Sequence, residues 1–325
     1  MEEKAEGGQG IDTLLPGLVF LGTPEFAVPS LRGLVDAGAP VRLVVTQPDR
    51  PSGRGRKLSQ PPVKILANEL GIPVYQPERI RGAEIIEKIK SFGVDCAVVV
   101  AFGQILPQAF LDVFALGALN VHASLLPRHR GAAPIHRAIL AGDAFTGISI
   151  MLLDAGMDTG PVLSQREISI GGEDIFETVH DRLSRVGAQL LVETLTAWAA
   201  GTIEPRVQDD SLATYAPPVK KEELRIDWNL PAKDIINRIR AFDPGPGAYF
   251  MFEGKRIKCF RARSFPWTGV GGPGEVGGIS ESGIIVTGGD RRALSICELQ
   301  MEGRPRMETS QFVRGRPMPA GSFLE

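Results

Sequence analysis

The sequence predicts an α/β domain with an open parallel sheet, followed by a small all-β domain. Three observations predict it. Through the first 200 residues, short apolar strands alternate with amphipathic helical stretches, the pattern of strands joined by crossover helices. One of those strands, residues 96–101, is almost wholly apolar, as expected at the centre of a parallel sheet covered on both faces. After residue 232 come one helix and about five short strand-like segments set apart by Gly and Pro, which suggests a small barrel.

The elements follow in order. Residues 18–21 form the first strand. Pro24 suits a first helical turn, and 26–37 continue as helix. Residues 41–46 are the next strand. Residues 47–62 are a polar loop rich in Pro, Gly and Arg, longer than an ordinary strand-to-helix connection. Residues 63–70 and 83–92 read as helices, 133–141 as another. Residues 146–153 and 162–170 are strands flanking a Gly-punctuated acidic loop. Residues 176–200 form one long helix ended by Gly201. Residues 202–220 carry Pro205, Pro217 and Pro218 with little periodicity and read as a linker or an extended wrap. Beyond it lie a helix at 232–242 and strands at 248–253, 256–263, 275–280, 284–287 and 293–301. The division expected is an extension over 1–16 with no fixed structure, a catalytic domain over 17–201, the linker over 202–220 and a second domain over 221–325.

Composition narrows the function. The chain has 325 residues, 43% of them hydrophobic, ample for a sizeable core. Its formal net charge is −2, so a nucleic-acid ligand would need a local basic surface. No apolar run approaches the ~20 residues of a membrane span. The polar, acidic N-terminus resembles neither a secretory signal nor an Arg-rich transit peptide. Cys96, Cys259 and Cys297 are far apart and lack a C-x-x-C pattern, which predicts buried thiols in a reducing cytoplasm. No metal is expected. Pro127 and Pro134 break any helix that would align His122, His129 and His136, and there is no H-E-x-x-H. Gly22-Thr23-Pro24-Glu25 is not a dinucleotide fingerprint, and Gly53-Arg54-Gly55-Arg56-Lys57 is no P-loop.

The chemistry gathers on residues 118–134. Strand 118–122 runs straight into a loop, and residues two apart on a strand face the same way. Asn120 and His122 therefore project together at the carboxyl end, where open α/β sheets bind ligands. An amide beside an imidazole makes two donors able to hold a developing oxyanion. Singly, an Asn and a His two apart are usually a turn residue and a packed ring. What lifts the pair above that reading is its setting, with the loop Asp154-Ala155-Gly156-Met157-Asp158-Thr159-Gly160 downstream supplying two carboxylates. The loop at 47–64 carries Arg50, Arg54, Arg56, Lys57 and Lys64 against one acid, Asp49. It leaves the same sheet edge. The all-β part has a basic run, Lys255 to Arg263. From residue 202 onward 18 Lys and Arg face 16 Asp and Glu.

Taken together these segments resemble the folate-dependent formyltransferases. The resemblance starts at Phe20-Leu21-Gly22-Thr23-Pro24 and continues through Thr46-Gln47-Pro48-Asp49-Arg50-Pro51 and Phe102-Gly103-Gln104-Ile105-Leu106-Pro107. It then takes in Asn120-Val121-His122, Ser124-Leu125-Leu126-Pro127, the Asp158 loop and Arg225-Ile226-Asp227-Trp228. It thus spans almost the whole chain. It implies a Rossmann-like catalytic domain followed by a C-terminal OB-like barrel that binds tRNA. Further, it implies transfer of a formyl group from 10-formyltetrahydrofolate to the amino group of methionine on initiator tRNA. Position by position, Asn120, His122 and Asp158 become the catalytic trio. Phe102, Gly103, Gln104, Ile105 and Leu106 with Ser124, Leu125, Leu126 and Pro127 become the folate-contacting loops, while Arg50, Arg54, Arg56 and Lys57 become tRNA acceptor-stem contacts. The expected protein is a cytoplasmic monomer. His129, His136 and Gly245 depart from the family pattern, away from the trio.

Two alternatives stay open at this point. A formyltransferase of the same fold could act on a nucleotide sugar or glycinamide ribotide. The chain lacks the phosphate motif of the glycinamide enzyme and carries a basic loop foreign to the sugar enzymes. A catalytically silent RNA-binding protein is the other, and it has no need of Asn120, His122 and Asp158 together.

Overall fold

A computed structural model describes residues 15–52, 57–267 and 271–325. The first half runs β1 (Leu18–Gly22), α1 (Val28–Asp36), β2 (Val41–Val45), β3 (Arg50–Ser52), β4 (Lys57–Ser59), α2 (Pro62–Glu69), β5 (Val74–Tyr75), α3 (Ala83–Lys90) and β6 (Cys96–Val100). It continues with α4 (Gln108–Leu111), β7 (Ala118–His122), α5 (Pro134–Ala141), β8 (Phe145–Leu152), β9 (Val162–Ser169) and α6 (Phe176–Ala199). The second half has α7 (Ala232–Ala241), β10 (Ala248–Phe252), β11 (Lys255–Phe265), β12 (Val276–Ser280), β13 (Gly283–Thr287), β14 (Ala293–Met301), β15 (Met307–Glu308) and α8 (Thr309–Gly315). Most expected elements fall within two residues of their observed ends.

Packing divides the chain into two compact units. One comprises the residues up to His122, Ser149–Gln165 and Ser184–Gln208; the other comprises Ala123–Ile148, Arg166–Leu183 and Asp209–Glu325. The first unit is built on a seven-stranded sheet in the order β5-β2-β1-β6-β7-β8-β9. β5, β2, β1, β6 and β7 are parallel, and β8 runs antiparallel to β7. The sheet is thus parallel at its centre, as expected, with an antiparallel margin that the alternation of strands and helices did not reveal. β8 and β9 are neighbours joined by the loop at 153–161, with no crossover helix between them.

β1 and β6 are buried along their whole length, which explains their unbroken apolar runs. Val19, Leu21, Val45 and Val99 pack on one face with Phe102, Phe110 and Phe114. The polar loop expected over 47–62 holds a short antiparallel hairpin, β3 against β4. Its strands are only three residues each, too short for period-two alternation to register.

In the second unit the antiparallel order is β10-β11-β14-β13-β12, with β15 on β14. The last residues close the gap between the two edge strands. Met251 and Glu325 exchange both backbone hydrogen bonds, while Ser322 and Gly321 pair with Val276. Pairing therefore continues around a full ring, the arrangement of a small barrel whose edges are covered. Ile257, Cys259, Phe250, Ile284, Val286, Leu294 and Ile296 are fully buried, while Lys255, Arg256, Arg261 and Arg263 of β11 are exposed.

Candidate active site

In the first unit, β1, β2, β6 and β7 run the same way, so the segments after Gly22, Val45, Val100 and His122 all leave one edge of the sheet. β7 is the last of these strands, and β8 flanks it with Asn120 opposite Met151 and His122 opposite Ser149. The strand alternation that the sequence predicts therefore holds, and both side chains lie on one face. Asn120 and His122 are buried, at 9% and 6% exposure. Burial matters here because hydrogen-bond donors are stronger where water is excluded.

The third member of the expected trio reaches the second. The Asp158 Oδ1 carboxylate oxygen stands 3.6 Å from the His122 Nδ1 nitrogen. It does so from a loop, Leu153 to Pro161, whose shape is set locally. Leu152 N–H donates to the Pro161 carbonyl at 3.0 Å and closes the neck. Asp154 folds the interior: its carboxylate accepts from the Gly156 N–H at 3.0 Å and from the Thr159 hydroxyl at 2.8 Å. That is an Asx turn, which the Asp-x-Gly spacing encodes. Asp158 itself has φ 54°, left-handed backbone that costs a residue with a β-carbon on the order of 1–3 kcal/mol. Gly160 is required by space, because a Cβ would come 1.9 Å from the Leu152 carbonyl oxygen.

Sequence reasoning missed two of these groups. Asp154 is the loop acid to which the sequence reading gives no part, and its signal is the Asx-turn spacing. Gln208, in the segment read as linker or wrap, donates to the Asp158 and Gly160 carbonyls. It lies 50 residues from Asp158, and nothing in the local sequence marks it.

The segment after β6 divides its work. Phe102 and Leu106 belong to the hydrophobic core, whereas Ile105 is 79% exposed. Gly103 has φ 82°, a conformation glycine adopts without strain. The Phe102 carbonyl accepts from the Thr23 hydroxyl at 3.2 Å and from the Gln47 amide at 3.1 Å. Gln104 accepts from Ile80 N–H at 3.0 Å. The backbone is thereby fixed while the Ile105 side chain faces outward, a surface that suits a flat ring needing apolar contact.

Of the basic-loop residues, Arg50 is exposed and stands 3.6 Å from Glu78. Arg54 and Arg56 lie outside the described residues. Lys57 is placed by its backbone opposite Ser52 in the β3–β4 hairpin. The stem is anchored at Asp49, whose carboxylate accepts from Lys64 Nζ at 2.8 Å and from the Gln76 amide at 2.8 Å. Those hydrogen bonds, Gln76 first, hold the Asp49 carboxyl below the usual carboxylate range.

The remaining expected residues belong to the second unit. Ser124 is fully buried and its hydroxyl donates to the Arg128 carbonyl at 2.6 Å. Leu126 is buried, and Leu125 packs so close to Gly147 that a Cβ there would stand 2.5 Å away. His129 meets the Asp143 carboxylate at 2.7 Å, which Arg128 also reaches. His136 stacks on Phe176 with ring centroids 4.1 Å apart, and burial pushes its pKa down to about 4. Among the described residues no group of three His, Cys, Asp or Glu could hold a metal ion. All three cysteines are unpaired, and burial pushes the Cys96 thiol up to about 12. No helix among the described residues is long and apolar enough to cross a membrane.

A family model described as formyl transferase matches residues 18–195, and one described as formyl transferase, C-terminal domain, matches 218–317. The chain belongs to the formyl transferase family. It is 47% identical over 307 residues to the methionyl-tRNA formyltransferase of Citrifermentans bemidjiense, covering 94% of this chain and 96% of that one. The methionyl-tRNA formyltransferase of Geobacter sulfurreducens gives the same identity and coverage. Among solved structures, the fold resembles WlaRD, a sugar 3N-formyl transferase, with TM-score 0.64 at 17% identity over 90% of this chain and 99% of that one. It also resembles HypX from Aquifex aeolicus in complex with tetrahydrofolic acid, with TM-score 0.61 at 17% identity over 96% of this chain and 51% of that one.

Proposed function

We propose that the protein transfers the formyl group of 10-formyltetrahydrofolate to the amino group of methionyl initiator tRNA. The observation that carries the reading is the buried Asn120–His122 pair with the Asp158 carboxylate 3.6 Å from the imidazole. It is supported by 47% identity to proteins named for that reaction over 94% of the chain.

The substrate amine attacks the formyl carbon as a neutral nucleophile. A new N–C bond forms at the amine, and the bond from the folate nitrogen to the formyl carbon breaks. Asn120 and His122 donate hydrogen bonds to the oxygen that gains charge, and one such donor is worth about 10²–10³ in rate. Asp158 and His122 carry the amine proton to the departing nitrogen, directly or through water. No step needs a metal-bound water. Residues 102–106 and 124–127 take the folate, with Ile105 offering apolar contact. Arg50, Arg54, Arg56 and Lys57 grip acceptor-stem phosphates, where charge matters more than fixed geometry. In chain order, 17–201 form the catalytic domain, 202–220 the connection, and 221–325 an RNA-facing barrel. The protein acts in the cytoplasm as a monomer.

The test is formyl transfer from 10-formyltetrahydrofolate to charged initiator tRNA, run beside charged elongator tRNA for methionine. Asp158→Asn should lower turnover by about 10²–10⁴-fold with folate binding retained. Unchanged turnover in that variant would remove Asp158 from the mechanism. Folate binding without transfer to either tRNA would redirect the reaction to another amine acceptor.

A further inference from the structure

Gln208 lies beyond the long helix, outside every motif that points to catalysis. Two residues before it, Arg206 and Val162 exchange both backbone hydrogen bonds at 2.8 Å. That bridge fixes the segment beside the first residue of β9. From there the Gln208 side-chain amide donates to the Asp158 carbonyl at 2.9 Å and to the Gly160 carbonyl at 2.7 Å. A primary amide has two N–H donors, and these two carbonyls take both.

The loop under this contact needs holding. Asp158 sits at φ 54°, which a β-carbon disfavours, and such backbone persists only where its surroundings over-determine it. The neck bond from Leu152 to Pro161 and the Asp154 turn fix the loop's two ends of curvature. Gln208 acts on the peptide of Asp158 itself. Rotation of that peptide would swing the carboxylate relative to His122 Nδ1, now 3.6 Å away.

We infer that Gln208 is a positioning residue for the transfer reaction, holding the Asp158 peptide so that its carboxylate meets His122. This rests on the catalytic reading of Asp158 given above. The chemistry is specific to a long amide. Ionised Glu has no donor and would face two carbonyl oxygens, while Asn is one methylene too short to reach from the same backbone.

The experiment is a double-mutant cycle under single-turnover conditions, with Gln208→Ala and Asp158→Asn alone and together. Q208A should lower the chemical rate at least tenfold, with KM for 10-formyltetrahydrofolate and for charged tRNA within threefold of wild type. In the D158N background the same substitution should change the rate less than twofold, because the group it positions is already lost. Gln208→Glu adds a pH readout. Its activity relative to wild type should rise as pH falls from 8 towards 6, since a protonated carboxyl regains one donor and the facing carbonyls raise its pKa. A wild-type rate in Q208A overturns the role. So does an equal loss in both backgrounds, which marks general damage, or a flat Q208E ratio. Full turnover in D158N is a different result: it removes the catalytic reading of Asp158, and the role of Gln208 falls with it.

Discussion

Two loops leave the first unit near the same site and are built on opposite principles. The Asp158 loop is held from within by Asp154 and Thr159, at its neck by Leu152 and Pro161, and from outside by Gln208. The loop after β2 is anchored at its stem by Asp49, and beyond it Arg50 is exposed and Leu58 is 73% exposed. The first presents one carboxylate to one nitrogen, a task in which an ångström counts. In the proposed function the second presents charge to a polyanion, a task that tolerates many geometries. Charge chemistry alone does not require a rigid loop; proton transfer does.

The largest effect tests the fixed side of that contrast. Replacing His122 with Ala removes a proposed oxyanion donor and the partner of Asp158, and formyl transfer should fall by at least about 10²–10³-fold. Asn120→Ala should fall by a similar factor. Both variants should keep the wild-type salt dependence of tRNA binding; a changed salt slope in either would show that the two loops are not separable. Next in size is Gly160→Ala. The added methyl must displace the Leu152 carbonyl, so turnover should drop by about 10–100-fold, with a stability cost on the order of 1–3 kcal/mol. Gly172→Ala is the control, since a Cβ there meets nothing within 4 Å and activity and Tm should hold.

How much of this was legible in the sequence follows the same division. β7 and its Asn120–His122 pair were readable because strand alternation is a local rule. The 96–101 strand was readable because full burial leaves an unbroken apolar run. The loop's internal fold was nearly readable, since Asp154-x-Gly156 is a turn signal. Gln208 was not, because its role arises from a backbone bridge between Arg206 and Val162, 44 positions apart, that no local pattern encodes. The antiparallel placement of β8 and the closure of the barrel by residues 321–325 were likewise hidden. Both are decided by which edges are left unpaired once other strands have packed. The hairpin β3–β4 escaped for another reason: three-residue strands carry too few side chains to show a period.

The third prediction addresses the basic loop. Arg50→Ala, Arg54→Ala, Arg56→Ala and Lys57→Ala should each weaken tRNA binding and lower the steepness of its salt dependence by roughly 1. Single-turnover rates at saturating tRNA should stay within about threefold, the reverse of the pattern for Gly160. Arg50 should contribute despite Glu78 at 3.6 Å, because an ion pair between two exposed side chains is worth little and is easily exchanged for a phosphate. A variant that loses rate at saturation while keeping its salt slope would mean that this loop, too, places a reacting group.

The smallest expected effect lies at Asp49, which anchors the stem of that loop. Its carboxylate joins Lys64 and Gln76, and Gln76 also donates to the Gln47 carbonyl at 2.8 Å, while the Gln47 side chain holds the Phe102 carbonyl. The stem of the basic loop and the segment proposed for folate contact therefore share supports. Hydrogen bonds from Gln76 and Lys64 hold the Asp49 carboxyl below its ordinary value, so the stabilisation is fully present above that value. It is lost as pH falls through the depressed folded value. At neutral pH, Asp49→Asn should reduce the amide-exchange protection of residues 50–52 and 57–59 and change turnover by less than about threefold. Wild type should match the variant only once pH has fallen through the depressed folded value, where the carboxyl takes up its proton. Equal protection in the two proteins at neutral pH would place the anchor elsewhere, and a large loss of turnover would show the basic loop to be as tightly coupled to the chemistry as the loop that carries Asp158.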